Sequence, residues 1–90
     1  MPTQHLLIKG NVQGVFYRVS AKEVADAMGL VGWIRNTSEG NVEAMVTGMP
    51  YQLQDFLDWC RKGPSGAQVT GVEVEEKDEE SFTDFRIIRG

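Results

Sequence analysis

The chain is poor in cysteine, histidine and proline, with one, one and three of them in 90 residues. A single cysteine, Cys60, excludes an intrachain disulfide. No apolar run approaches the roughly 20 residues that cross a bilayer as a helix. Residues 1–5 have neither the charged start nor the apolar run of a signal peptide. We therefore expect a reducing, cytoplasmic location and no membrane association.

Positive charge is also scarce. Nine lysines and arginines stand against thirteen acidic residues, which gives a formal net charge of −4. Nucleic-acid-binding proteins usually present a basic surface, so this balance disfavours general nucleic-acid binding and leaves room for a local site that holds a small anion. With 41% hydrophobic and 24% charged residues, we expect an ordinary folded chain and one domain over residues 1–90.

Two segments have the helical spacing of apolar residues. The first begins near residue 17 and ends at Gly29, and the second begins at Pro50 and ends before residues 63–66. Glycine after a helix and proline at a helix start are typical of those positions. The apolar residues at i, i+3, i+4 and i+7 are Ala21, Val24, Ala25 and Met28 in the first, and Leu53, Phe56, Leu57 and Cys60 in the second.

Five further segments are typical of β-strands. Apolar and polar residues alternate over residues 42–47, as in a half-buried strand. In the fourth segment the apolar phase slips around Gly71, which predicts a β-bulge. The predicted strands are residues 5–9, 30–36, 41–48, 68–76 and 82–89.

This order of elements predicts an α+β fold of the ferredoxin-like βαββαβ type. We expect an antiparallel sheet of four strands plus a short or shared fifth, with both helices on one face. Right-handed crossovers place the first strand centrally and the loop after it beside the end of the second strand. Asn36, at that end, is therefore expected near the loop.

That loop, residues 10–18, joins an apolar strand to the first helix. Its two glycines, Gly10 and Gly14, allow backbone N–H groups to turn inward, and a helix N-terminus carries partial positive charge. Arg18 adds a fixed charge with a planar fork of donors. The loop therefore predicts a phosphate-binding site.

The same loop carries a family resemblance. GNVQGVFYR at positions 10–18 resembles the acylphosphatase signature, G-x-V-Q-G-V-x-[aromatic]-R. GWIRNTSEGNV at positions 32–42 is similar to the second block of that family, G-[aromatic]-x-x-N-x-x-x-G-x-V. Residues 63–69 and 85–87 also fit, so the resemblance extends over nearly the whole chain. It departs at Asn11, where a basic residue is frequent, at Glu39, where aspartate is common, and at the final Gly90, where bulkier residues are often found.

The resemblance implies a hydrolase that cleaves the carboxyl-phosphate bond of small acyl phosphates without a metal or an organic cofactor. It implies that Arg18 binds the phosphate and that Asn36 positions the attacking water. It further implies that backbone N–H groups complete the phosphate cradle. Those loop residues are Gln13, Gly14, Val15, Phe16 and Tyr17.

This chemistry requires few side chains. An acyl phosphate expels a carboxylate, whose conjugate acid has a pKa of about 4, so the leaving group needs no general acid. Phosphoryl transfer mainly requires charge stabilisation and an in-line water. Arg18 and the loop amides supply the first, and either the oxygen or the amide group of the Asn36 side chain supplies the second. The water can pass its proton to the phosphate.

Other functions fit the same fold less well. RNA-recognition domains stack bases on sheet aromatics, and the first and third predicted strands carry none. A small-molecule regulatory or dimerisation domain leaves Arg18, Gln13 and Asn36 without a role. A third alternative is a domain that keeps the phosphate site but serves a larger assembly. We expect the protein to be a monomer. Lys9 and Arg35 either add positive potential near the site or lie on the strand surface.

Overall fold

The structure, a computed structural model, describes residues 1–89 as a five-stranded sheet and two helices. Gly90, the last of the departures from the family pattern, lies outside the described residues. None of the described helices is both long and apolar enough to cross a bilayer. The strands are β1 (Thr3–Asn11), β2 (Val31–Asn36), β3 (Val42–Thr47), β4 (Gln68–Lys77) and β5 (Phe85–Ile87), and the helices are α1 (Tyr17–Met28) and α2 (Pro50–Lys62).

The sheet has the order β4-β1-β3-β2-β5, with β1 paired antiparallel to both β3 and β4. The predicted ferredoxin-like α+β fold, with the first strand inside the sheet, is confirmed. The fifth strand differs in two details. It is shorter than the predicted 82–89, because only Phe85–Ile87 pair with β2, and it pairs in parallel, so the sheet is mixed.

The core lies between the helices and one face of the sheet. Alternate strand residues point to that face, as the period of a strand requires. They are Leu6 and Ile8 of β1, Ile34 of β2, and Val42, Ala44 and Val46 of β3, all fully buried. The helices contribute Tyr17, Ala21, Ala25, Leu53, Phe56, Leu57 and Cys60, most of which the helical spacing predicted.

A bulge interrupts the pairing of β1 with β4 near the end of β1. Lys9 lies opposite Gly71 and Gly10 lies opposite Val69, so Thr70 is the extra residue on β4. The predicted bulge is therefore confirmed one residue from Gly71. Gly10 has φ 128°, and a Cβ there would overlap the carbonyl oxygen of Gln68. Glycine thus permits both the backbone angle and the close approach of β4 at the first residue of the loop.

Candidate active site

The loop between β1 and α1 presents backbone donors that have no internal partner. The first hydrogen bond of α1 joins the Ser20 N–H to the Phe16 carbonyl at 3.0 Å, so the amides of residues 17–19 precede the helical ladder. In residues 1–89, no protein acceptor receives a hydrogen bond from the amides of residues 13–16 either. These N–H groups stand at a helix N-terminus, whose partial positive charge favours an anion.

One buried and one partly buried side chain hold this loop in place. Val12 is fully buried, and Val15 packs against the core. Phe16, the residue before the helix, has φ 61° and ψ 24°, which is the left-handed region. For a bulky residue this backbone costs on the order of 1–2 kcal/mol, so the surrounding packing determines it.

Arg18 lies in the first turn of α1 and is half-buried. Within the described chain, it has no carboxylate at ion-pair distance and no hydrogen-bonded acceptor. It lines a cleft of about 320 Å³ together with Asn36 and the loop. The full lining is Val12, Gly14, Phe16, Tyr17, Arg18, Val19 and Asn36. The cleft therefore contains a guanidinium whose donors are available to a ligand.

Asn36 reaches the cleft from the last position of β2. It points to the same side of β2 as the buried Ile34, that is, toward the helices. Its Oδ1 is buried, and no protein group in residues 1–89 hydrogen-bonds to it. A buried acceptor without a partner costs about 1–3 kcal/mol, and at the edge of this cleft it is available to a ligand or a water. The adjacency that the crossover rule predicted between Asn36 and the loop is thus present.

Gln13 is directed away from the cleft. Its Nε2 donates hydrogen bonds to the carbonyl oxygens of Thr37 at 2.9 Å and Asn41 at 2.7 Å. These two carbonyls belong to the β2–β3 turn, which follows Asn36 directly. Sequence reasoning placed Gln13 in the loop but missed this bond, because the loop sequence does not indicate which way its side chain points. Gln13 joins the loop to the segment that carries Asn36.

Tyr17 contributes its backbone to the loop and its side chain to the core. Its hydroxyl donates a 2.7 Å hydrogen bond to the Cys60 carbonyl, and its ring lies 5.4 Å from that of Trp59. Burial, with a smaller effect of the Cys60 side chain, raises the pKa of Tyr17 well above its usual range. The start of α1 is thereby fixed to α2, which supports the position of Arg18 one residue later.

The sheet face opposite the helices, which we call the open face, holds a separate charge network. Glu43 accepts hydrogen bonds from His5 at 2.8 Å and from Arg35. Burial acts to raise the pKa of Glu43, but the bonds from His5 and Arg35 outweigh it and lower that pKa. Lys9 pairs with Glu73 at 2.7 Å. Both Lys9 and Arg35 are therefore held by carboxylates on the open face.

Sequence reasoning also missed Arg89. It lines a hollow of about 400 Å³ that shares Arg18, Val19 and Asn36 with the cleft. A position of the last strand beside β2 would have indicated Arg89, because the residues after that strand then run beside the end of β2. The Ile88 N–H donates to the Ile34 carbonyl at 2.8 Å and carries the chain in that direction.

Within residues 1–89, no group of three or more His, Cys, Asp or Glu is placed to hold a metal ion.

Known proteins resemble this chain in both sequence and structure. The profile of the family described as Acylphosphatase matches residues 4–87. An acylphosphatase of Marinobacter nauticus is 46% identical over 83 residues, which are 91% of this chain and 90% of that protein. The structure of an acylphosphatase from Coxiella burnetii superposes with a TM-score of 0.93 at 36% identity, over 97% of this chain and 92% of the other. The structure of an acylphosphatase from Bacillus subtilis superposes with a TM-score of 0.95 at 31% identity, over 98% of this chain and 99% of the other.

Proposed function

Because this chain belongs to the acylphosphatase family and is therefore an enzyme that hydrolyses acyl phosphates, we propose that its cleft is the active site. Arg18 and the loop amides of residues 13–17 bind the phosphoryl group, and Asn36 orients the attacking water. One observation carries this proposal. Arg18 and Asn36 come from different elements, lack protein partners within residues 1–89, and line the same cleft.

The substrate is a small acyl phosphate, with its phosphoryl oxygens on the N–H groups of the loop and the guanidinium of Arg18. A bidentate guanidinium fits two phosphoryl oxygens, and the helix dipole adds to the attraction. Charge on the equatorial oxygens is stabilised by donors that are already in place before the reaction.

Water attacks phosphorus in line with the bond to the acyl oxygen. A new P–O bond forms, and the bond between phosphorus and the acyl oxygen breaks with its electron pair, which leaves as part of a carboxylate. Both protons of the water stay on the phosphate oxygens, so that a dianionic acyl phosphate and water give a carboxylate and dihydrogen phosphate. A carboxylate needs no proton to leave, because its conjugate acid has a pKa of about 4. For that reason the proposed reaction uses no histidine, carboxylate base, metal ion or cofactor.

The open face supports this proposal over RNA recognition. Glu43 of β3 and Glu73 of β4 both lie opposite Leu7 of β1. They pair with Arg35 and Lys9, so these cations of the open face are already neutralised and are not free to bind an RNA backbone. The single-domain organisation, monomeric state and cytoplasmic location expected from the sequence remain predictions.

The test measures phosphate release from acetyl phosphate with and without a metal chelator. We expect turnover that resists the chelator and is lost in Arg18→Ala and in Asn36→Ala. Arg61→Ala serves as the matched control, because Arg61 is an exposed arginine on α2. No turnover by the wild type, or full turnover by a folded Arg18→Ala variant, would contradict the proposal.

A further inference from the structure

We infer that Phe16 and Val19 form the wall that binds the acyl group, and that this wall selects acyl phosphates with an apolar, above all an aryl, acyl substituent. The inference rests on the proposed function, since it requires the phosphoryl group to be held by Arg18 and the loop amides. It adds the chemical class of the substrate, which the phosphate cradle does not specify.

Packing of the loop fixes the backbone of Phe16 but does not explain why its side chain is an aromatic ring. Its side chain is 80% exposed, so it gains little from burial. It is also the one non-glycine residue with positive φ in residues 1–89. Glycine or asparagine would adopt this backbone at lower cost, as Gly14 does two residues earlier with φ 75°. An exposed aromatic ring retained at a backbone position that disfavours it points to a use for the ring itself.

Val19 extends the same apolar surface. It lies in the first turn of α1, three residues after Phe16, which immediately precedes the helix. It is 50% exposed, whereas Ala21 and Ala25 on the core side of α1 are fully buried. Both Phe16 and Val19 line the cleft that holds Arg18 and Asn36. The apolar wall and the phosphate donors therefore belong to one cavity.

The dimensions of the cleft fit a small substituent. Its volume of about 320 Å³ is at the lower end of the roughly 300–1,000 Å³ typical of ligand sites. A phosphoryl group at Arg18 leaves the acyl group against the Phe16 ring and the Val19 methyls. Contact with an aryl acyl group would remove apolar surface of both partners from water, and rings favour stacked or edge-to-face contact. An acetyl group has little surface to offer this wall.

Arg89 offers an alternative to the apolar wall, because its positive charge could select the acyl group instead. Arg89 and Arg18 both line the hollow that adjoins the cleft. If Arg89 determined the choice of acyl group, the enzyme would favour a substrate with a second negative charge. A comparison of kcat/KM among substrates distinguishes selection by the apolar wall from selection by Arg89.

The experiment compares kcat/KM for benzoyl phosphate, acetyl phosphate and succinyl phosphate, which carry an aryl, a minimal and a carboxylate-bearing acyl group. Phe16→Asn keeps a residue that tolerates positive φ and removes the apolar ring. Val19→Thr keeps the shape of the side chain and makes it polar. Tyr51→Asn is the matched control, because Tyr51 is an aromatic residue on α2, 66% exposed and outside the cleft.

We expect the wild type to favour benzoyl over acetyl phosphate, with the difference mainly in KM. Phe16→Asn should lower the benzoyl-to-acetyl ratio of kcat/KM about fivefold or more, because a single methylene in a closed apolar pocket discriminates substrates roughly 10- to 200-fold and this wall is open on one side. Val19→Thr should lower the ratio in the same direction, and Tyr51→Asn should leave it unchanged.

An active wild type whose ratio is unchanged in Phe16→Asn would overturn this inference and leave the proposed function standing. A preference for succinyl phosphate that is lost in Arg89→Gln would also overturn it, in favour of the charged hollow. Release of phosphate from none of the three substrates by the wild type would contradict the proposed function itself.

Discussion

The side-chain amide of Gln13 lies 2.7 Å from the carbonyl oxygen of Asn41 and donates a hydrogen bond to it. A second hydrogen bond from the same nitrogen reaches the Thr37 carbonyl at 2.9 Å. The loop proposed to bind the phosphoryl group is thereby tied to the turn that immediately follows Asn36. The two halves of the candidate site come from segments far apart in sequence, and this contact sets their spacing.

Gln13→Ala is expected to lower kcat/KM for acetyl phosphate by about 10- to 100-fold, because a displacement of about 1 Å between donors and water is enough to cost 10²-fold. The effect should include kcat, since the phosphate donors themselves remain. Steady-state kinetics at saturating substrate measure it. Gln54→Ala is the control, because Gln54 is an exposed glutamine whose side chain donates a hydrogen bond to Asp58 on its own helix. Wild-type kinetics in Gln13→Ala would show that the contact does not position the site.

Arg18→Lys is expected to lose about 10²–10³ in kcat/KM, comparable to removal of an oxyanion donor. Lysine keeps the charge but presents a compact ammonium instead of a planar fork, so it cannot bind two phosphoryl oxygens in parallel. Competitive inhibition by inorganic phosphate should weaken in the same variant. Arg61→Lys provides the matched exchange outside the site. An Arg18→Lys enzyme within threefold of the wild type would mean that charge alone suffices.

Periodic patterns predicted most of the fold. The i, i+3, i+4, i+7 spacing identified both helices, because each buries one face against the same side of the sheet. Crossover handedness placed Asn36 beside the loop. The parallel pairing of β5 escaped prediction, because a three-residue strand has too few residues for its direction to follow from an apolar pattern. The side-chain direction of Gln13 and the left-handed backbone of Phe16 depend on tertiary packing, so local propensity does not reveal them.

Glu43→Gln is expected to lower the free energy of unfolding. The difference between wild type and variant should become smaller as the pH falls. The folded-state pKa of Glu43 is below its ordinary value of 4.5. A group with a depressed folded pKa contributes stability that is present above its unfolded pKa and is lost as the pH falls through the folded one. Urea unfolding at several pH values between about 3 and 6 measures the difference between wild type and variant. Glu23→Gln, an exposed glutamate on α1, should show no such trend.

Gly10→Ala is expected to destabilise the fold by at least about 2 kcal/mol more than Gly40→Ala, because overpacking adds to the strain. Both glycines have positive φ, so both substitutions carry the backbone penalty. Only at Gly10 would a Cβ overlap neighbouring backbone, the carbonyl of Gln68, whereas Gly40 faces open space. Urea unfolding of both variants measures the difference. Equal losses would mean that β4 moves aside at the bulge.

Cys60 is expected to react with a thiol reagent only when the chain opens. Its side chain is fully buried, and burial raises the pKa of its thiol to about 12. Thiolate is the reactive form, so burial and the raised pKa both keep the thiol of the closed protein unreactive at neutral pH. Comparison of labelling kinetics in buffer and in denaturant measures how much the fold slows the reaction, and the denatured chain should label at one site. Rapid labelling of the native protein would mean that α2 opens readily, and with it the Tyr17 contact that fixes the start of α1.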